Sequence, residues 1–143
     1  MDQRVSVITL GVDDVGRARA FYTALGWEPA LEPDGRVIFF QAGGLVFALW
    51  AREDMEAETG VSGGRPGGLM LAYNVASDDE VDELLAVAES AGGTVVSPAR
   101  RMEWGGWSGS FADPDGHLWE VAHNQHWTVA ADGSVSLEPP GTP

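Results

Sequence analysis

Phe111-Ala112-Asp113-Pro114-Asp115-Gly116-His117-Leu118-Trp119-Glu120-Val121 is the stretch that decides how this chain is read. Two apolar flanks enclose Asp-Pro-Asp-Gly, in which proline presets φ, glycine accepts positive φ and aspartate bonds its own backbone, so the segment predicts a tight β-hairpin with strands at 107–112 and 117–123. Towards the N-terminus, residues 94–98 read as a further strand. Before them Gly92-Gly93 close a helix whose apolar face is Val81, Leu84, Leu85, Ala88 and Ala91. Ser77 and Glu80 have capping-box spacing at its start, and residues 68–75 form a strand leading into it. The order is β-α-β-β-β.

The same order stands earlier in the chain. Residues 5–12 are β-branched and strand-like, Asp13 and Asp14 offer capping carboxylates, and Val15, Ala18, Phe21, Tyr22 and Leu25 share a helical face that Gly26 ends. Residues 27–31 are a short candidate strand, Glu32-Pro33-Asp34-Gly35 is a turn, and 36–41 and 45–50 are strands parted by Gly43-Gly44. Val15 and Val81 stand 66 positions apart, as do Gly26 and Gly92, whereas Gly44 and Gly116, like Ala48 and Glu120, stand 72 apart. These offsets point to a repeated unit with six extra residues around Arg100-Arg101-Met102-Glu103-Trp104-Gly105-Gly106. The chain, residues 1–143, therefore reads as one domain: module 1 (4–50), a linker (51–67), module 2 (68–124) and a C-terminal tail (125–143). The linker glycines neither follow a strand nor open a helix, so a phosphate-cradling loop is not the reading they favour. Residues 138–143 read as disordered.

Bulk properties narrow the function. With 143 residues, 44% of them apolar, there is enough chain for one sizeable core. Eight basic against twenty-two acidic residues give a formal charge of −14, which argues against nucleic acid and anionic membranes as partners. The same charge favours encounter with a cationic ligand, although acids also serve plain solubility. No apolar run approaches the roughly twenty residues of a membrane helix, and the N-terminus has no leader layout. The absence of cysteine removes disulfides, thiolate ligands and thiol nucleophiles, and leaves the cytoplasm as the expected location.

Two segments, Val12-Asp13-Asp14-Val15 followed by Ala20-Phe21-Tyr22-Thr23-Ala24-Leu25-Gly26-Trp27, and the hairpin from Phe111 to Val121, resemble the first helix and final hairpin of the vicinal oxygen chelate superfamily, which holds glyoxalase I, extradiol dioxygenases, and fosfomycin- and bleomycin-resistance proteins. The resemblance covers about residues 4–124. It implies an α+β fold in which two βαβββ modules form a curved eight-stranded sheet around a cleft, with metal ligands, where relatives have them, near the start of each module's first strand and on its last strand. Here those positions are Val7, Ala48, Leu69 and Glu120. One carboxylate does not hold a catalytic divalent ion, which needs three or more donors, so neither a metal nor another cofactor is expected. His117 and His123 sit at odd offsets from Glu120 and should face the other side of the sheet, and His126 lies beyond the strand. Relatives commonly pair or swap modules, so a homodimer is expected, with Trp127, Val129, Val135 and Leu137 of the tail available to cover a partner.

With Glu120 turned into the cleft, alternation turns Leu118, Ala122, Val46, Ala48 and Trp50 inward, joined by Val7, Leu69, Leu71 and Tyr73. That is an apolar cavity with one acid and one phenol, suited to a small molecule or to nothing more than a filled core. Trp104 and Trp107, beside flexible glycines, fall at the cleft mouth, and with Trp50 are the tryptophans singled out for stacking on a flat ligand. Core packing explains the three equally well. Glu120 is the catalytic candidate, since desolvation raises a carboxyl pKa and suits it to general acid or base work; alternatively it accepts a hydrogen bond from Tyr73 or pairs with Arg36, Arg100 or Arg101. Three functions follow. The first is metal-free binding of a small, flat or cationic organic molecule, of the antibiotic-sequestering kind. The second is a metal-independent lyase or isomerase using Glu120 as base. The third is a non-catalytic interaction domain.

Overall fold

The computed structural model describes residues 1–64 and 68–137. The end of the expected linker and the expected disorder at 138–143 lie outside the described residues. The first module runs β1 (Val7–Val12), α1 (Val15–Ala24), a 3-10 turn (Pro33–Gly35), β2 (Val37–Ala42) and β3 (Leu45–Ala51). The second runs β4 (Met70–Asn74), α3 (Asp78–Ser90), β5 (Thr94–Arg101), β6 (Trp107–Ala112) and β7 (Leu118–His123). Between them stands α2 (Arg52–Thr59), and after them a hairpin of β8 (Trp127–Val129) and β9 (Val135–Leu137).

The helix ends follow local chemistry. Asp14 caps α1 by accepting from the Arg17 amide at 2.8 Å, and Gly26, at φ 93°, takes the left-handed step after its end. Ser77 accepts from the Glu80 amide at 3.3 Å, and Glu80 reaches back to the Ala76 amide at 3.2 Å, one residue earlier than an ideal capping box. Gly92, at φ 103°, repeats the role of Gly26.

Each module pairs its first and last strands in parallel, which demands a crossover, and α1 and α3 supply it. The sheet orders are β1-β3-β2 and β4-β7-β6-β5. The eight-stranded expectation needs correcting: residues 27–31 contribute only a bridge, Leu31 to Phe39, where the second module has β5. Pro29 has no amide to donate, and Pro33 starts the next turn, so a regular strand has no room there. The two sheets are not hydrogen-bonded to each other, and β1 and β4 each end at an open edge among the described residues.

The helix-bearing faces of both sheets meet in one core. Leu10, Val12, Phe21, Tyr22, Phe40, Phe47 and Leu49 from the first module pack with Val81, Leu85, Phe111, Trp119 and Val121 from the second. Polar contacts lock the same boundary. The Asp113 carboxylate accepts from the Tyr22 hydroxyl at 2.8 Å and from the amides of Asp115 and His117, both at 2.9 Å. Asp115, whose side chain is wholly buried, accepts from the Asp13 amide at 2.8 Å and from Arg17 at 3.1 Å, while His117 Nε2 meets the Gly11 carbonyl at 2.8 Å. The Asp-Pro-Asp-Gly turn is thus also the latch between modules.

Two elements were not legible as such. The helix α2 occupies what reads as linker, with Arg36 pairing to Glu53 and Asp54, and Arg52 reaching Asp13 at 2.6 Å and the Gly11 carbonyl at 3.0 Å. It crosses β1 where Gly11 leaves room, since a Cβ there would lie 2.8 Å from Met55 Cε. The tail residues Trp127, Val129, Val135 and Leu137 belong to the β8–β9 hairpin. No helix among the described residues is long and apolar enough to cross a membrane.

Candidate functional site

Where the modules meet, a groove of about 730 Å³ opens on the helix-bearing side of the sheets. Ile8 on β1, Phe40 on β2 and Phe47 on β3 form one wall, Leu71 and Tyr73 on the edge strand β4 form the other, and Trp27 and Trp119 floor it. The residues have these positions because β1 and β4 are edge strands of separate sheets, and because Gly26 turns the chain after α1 to place Trp27 beneath the gap. The floor is rigid. The Trp27 ring meets Phe47 at 5.1 Å and Trp119 at 5.8 Å, both edge to face, an arrangement in which the positive rim of one ring touches the negative face of the next. The Trp119 indole N–H donates to the Tyr22 hydroxyl at 3.1 Å, which fixes the orientation of this buried ring at the groove floor. Burial pushes the Tyr22 hydroxyl well above its ordinary pKa, with the Asp113 charge adding to it, so the phenol stays protonated and remains a donor. A smaller extension of about 80 Å³ runs on between Tyr22, Leu25, Leu84 and Phe111.

The groove's ionisable lining consists of two carboxylates and Tyr73, with no arginine. Glu28 stands beside Trp27, and Asp132 comes from the turn of the tail hairpin with Gly133. Both Ser134 donors go to Asp132 Oδ1, the hydroxyl at 2.7 Å and the amide at 3.0 Å, and the hydroxyl bond above all holds this carboxyl below its ordinary pKa.

Of the residues singled out in the sequence, Leu71 and Tyr73 line this groove; Val7, Ala48, Trp50, Leu69, Glu120, Trp104 and Trp107 do not. Val7, Ala48 and Trp50 do share one face, as alternation predicts, since Val7 pairs with Val46, Thr9 with Ala48 and Gly11 with Trp50. The second module corrects the reading. Ala72 pairs with Glu120, Leu71 with Trp119 and Tyr73 with Val121, so Leu71 and Tyr73 lie on the face opposite Glu120, and Met70 and Ala72 share its side. Leu69 precedes β4 and is exposed. A register one residue away from the expected one moves every side chain to the other face.

Glu120 is half-buried and accepts from the Ser108 hydroxyl at 2.8 Å; neither Tyr73 nor an arginine is its partner. Trp104 is half-exposed and packs against Gly106, where a Cβ would come within 1.7 Å of its ring. The Arg101 guanidinium stands 5.5 Å from the Trp107 ring centre, and the Trp107 indole nitrogen is buried without a hydrogen-bond partner among the described residues. His123 Nδ1 lies 2.7 Å from Asp78 at the start of α3, on the helix-bearing side, away from Glu120.

At the implied metal positions Val7, Ala48 and Leu69 offer no donor; Thr9, across from Ala48, adds one hydroxyl, and Ala72, across from Glu120, adds only a methyl. Among the described residues no three His, Asp or Glu side chains are grouped so as to hold a metal ion. These residues do not fit a catalytic divalent ion.

Comparison with known proteins agrees with this architecture. The family model described as Glyoxalase/Bleomycin resistance protein/Dioxygenase superfamily matches residues 4–121. Among solved structures, a glyoxalase-related enzyme from Fulvimarina pelagi is 40% identical, with a TM-score of 0.90 over 96% of this chain and 99% of that one. A protein from Agrobacterium tumefaciens solved by NMR is 31% identical, with a TM-score of 0.69 over 85% and 98% of the two chains. A lactoylglutathione lyase from the same organism, 24% identical with a TM-score of 0.67 over 86% and 95%, shares the fold. No curated protein matches the chain.

Proposed function

We propose a ligand-binding role for this chain, which belongs to the Glyoxalase/Bleomycin resistance protein/Dioxygenase superfamily: the groove between its modules takes a small, flat organic molecule without a metal ion. The observation that carries the reading is the groove of about 730 Å³ with Trp27, Tyr73 and Trp119 on its surface. That volume lies within the roughly 300–1,000 Å³ of small-molecule sites, and planar side chains favour a planar guest. A groove this large is not what a bare interaction domain requires. The donor set at the implied metal positions supports metal-free binding.

Tryptophan fluorescence tests it. Titration with planar aromatic compounds should quench emission, Tyr73→Ala and Trp27→Leu should weaken binding by about tenfold or more, and mass spectrometry should recover the compound unchanged. Indifference of the emission to a broad set of such compounds would discard the proposal.

The contact between Ser108 and the half-buried Glu120 favours a second reading, a metal-independent lyase or isomerase with Glu120 as base. In that case a compound is consumed, and Glu120→Gln abolishes turnover while affinity persists.

The proposal extends to a homodimer. The open edges β1 and β4 carry exposed Val7 and Met70, with exposed Val5 and Leu69 just before them, and a second copy would cover backbone and side chains there together. Sedimentation velocity should give a two-chain mass that Val7→Lys reduces; a one-chain mass at about 100 µM, where a stable dimer is saturated, contradicts it.

A further inference from the structure

We infer that the guest of the intermodule groove is a flat organic cation, and that the C-terminal β8–β9 hairpin supplies its counter-charge through Asp132. The inference rests on the reading of the groove as a ligand site and adds the chemistry of the ligand and a task for the tail.

Charge is the first argument. Glu28 and Asp132 are carboxylates, no base lies among the groove residues, and the chain has no lysine at all. Five of the chain's eight arginines are engaged elsewhere: Arg17 with Asp115, Arg19 with Glu32, Arg36 with Glu53 and Asp54, Arg52 with Asp13, and Arg101 with Asp78. Neither Glu28 nor Asp132 has an ion pair among the described residues. An anionic guest would meet two like charges and the field of a −14 chain, whereas a cation meets attraction at every range.

The walls are the second argument. Tryptophan and tyrosine faces carry negative quadrupole density and attract a cation lying over them, so the part-exposed rings of Trp27 and Tyr73 favour positive charge as well as flatness.

The hairpin is the third. Its strands have three residues each, and a lone two-stranded hairpin is marginal in water. It leaves Trp127, Val135 and Leu137 exposed, yet its turn is well made, with Gly133 at φ 82° and Ser134 fixing Asp132 Oδ1. The turn is the part that reaches the groove. Both Ser134 bonds use Oδ1, so Oδ2 is available to a guest. The hairpin is a clasp whose order the guest reinforces.

Isothermal titration of the full chain with N-methylquinolinium and with quinoline, at pH 8 and low salt, separates the possibilities. The cation should bind at least about tenfold tighter than its neutral counterpart, the scale of a cation–π contact with a counter-charge. Asp132→Asn should lower the cation's affinity several-fold and leave quinoline's unchanged, while Asp79→Asn, an exposed acid outside the groove, should change neither. Amides at 127–137 should gain hydrogen-exchange protection with the cation. Equal affinities for the two probes, or equal losses from Asp132→Asn and Asp79→Asn, overturn this inference and leave the groove standing as a site. Binding of neither probe overturns the groove reading and this inference with it.

Discussion

The Tyr22 hydroxyl donates to Asp113 at 2.8 Å while accepting the Trp119 indole N–H at 3.1 Å, so one phenol joins the first helix, the last hairpin and the floor of the groove. Tyr22→Phe leaves a buried carboxylate oxygen and an indole N–H without partners. The expected loss is about 2–3 kcal/mol, seen as a lower urea midpoint at unchanged slope. A midpoint equal to the parent's would show that the latch does not hold the modules.

Close approach of α3 to its sheet depends on Gly109. A Cβ there would meet Leu85 Cδ1 at 2.5 Å and the backbone of Ser97 and Ala99 at 2.9 Å, opposite the irregular pairing of β5. Gly109→Ala should cost about 1–3 kcal/mol through overpacking, since backbone on β5 cannot step aside as a side chain can. Thermal denaturation checks this, and an unchanged Tm contradicts it.

Acid should destabilise the protein in a defined window. The hydrogen bond from Arg52 holds Asp13 below its ordinary pKa, the one from His123 does so for Asp78, and the one from Arg19 for Glu32. A folded-state pKa below the unfolded one means that the unfolded chain binds more protons, so this stability is complete above about pH 5 and is lost as pH falls from about 4 through the folded values. These groups are exposed, and salt should flatten the acid limb. Arg52→Gln should flatten it too; acid limbs that superimpose for parent and variant would refute the assignment to Asp13.

Chelation should be without effect. Overnight dialysis against EDTA is expected to leave Tm and groove binding unchanged, and elemental analysis of the purified chain should find well under one zinc, nickel, iron or manganese per chain. Stoichiometric metal that stabilises the fold would show that donors come from beyond the positions tested, because a bound ion adds stability in proportion to its affinity.

Much of the fold was legible because it is written locally. Asp14, Ser77, Gly26 and Gly92 mark helix ends by their own chemistry, and the turn from Asp113 to Gly116 announces a hairpin wherever it is placed. The helix α2 was not, because Met55 is its main apolar contact with the sheet and its anchors, Arg36 and Asp13, belong to other elements. Nor was the register of β4, where Leu69-Met70-Leu71-Ala72 offers no alternation to fix which side faces Glu120. Trp27 and Trp119 pack against the core, but their place on a groove depends on where two modules meet, which neither module encodes alone.

The latch between modules also has a direction. Position for position, Gln41 stands where Asp113 does and Gly43 where Asp115 does, and Gln41 serves its own turn by donating to the carbonyls of Gly43 and Leu45. On the receiving side, Ala88 stands where Tyr22 does. One half is therefore the key and the other the lock. A tandem of two first halves would offer a keyhole with nothing to enter it, two second halves would offer keys alone, and transposing the halves along the chain would keep both key and lock, Tyr22 and Asp113, which now stand 91 positions apart.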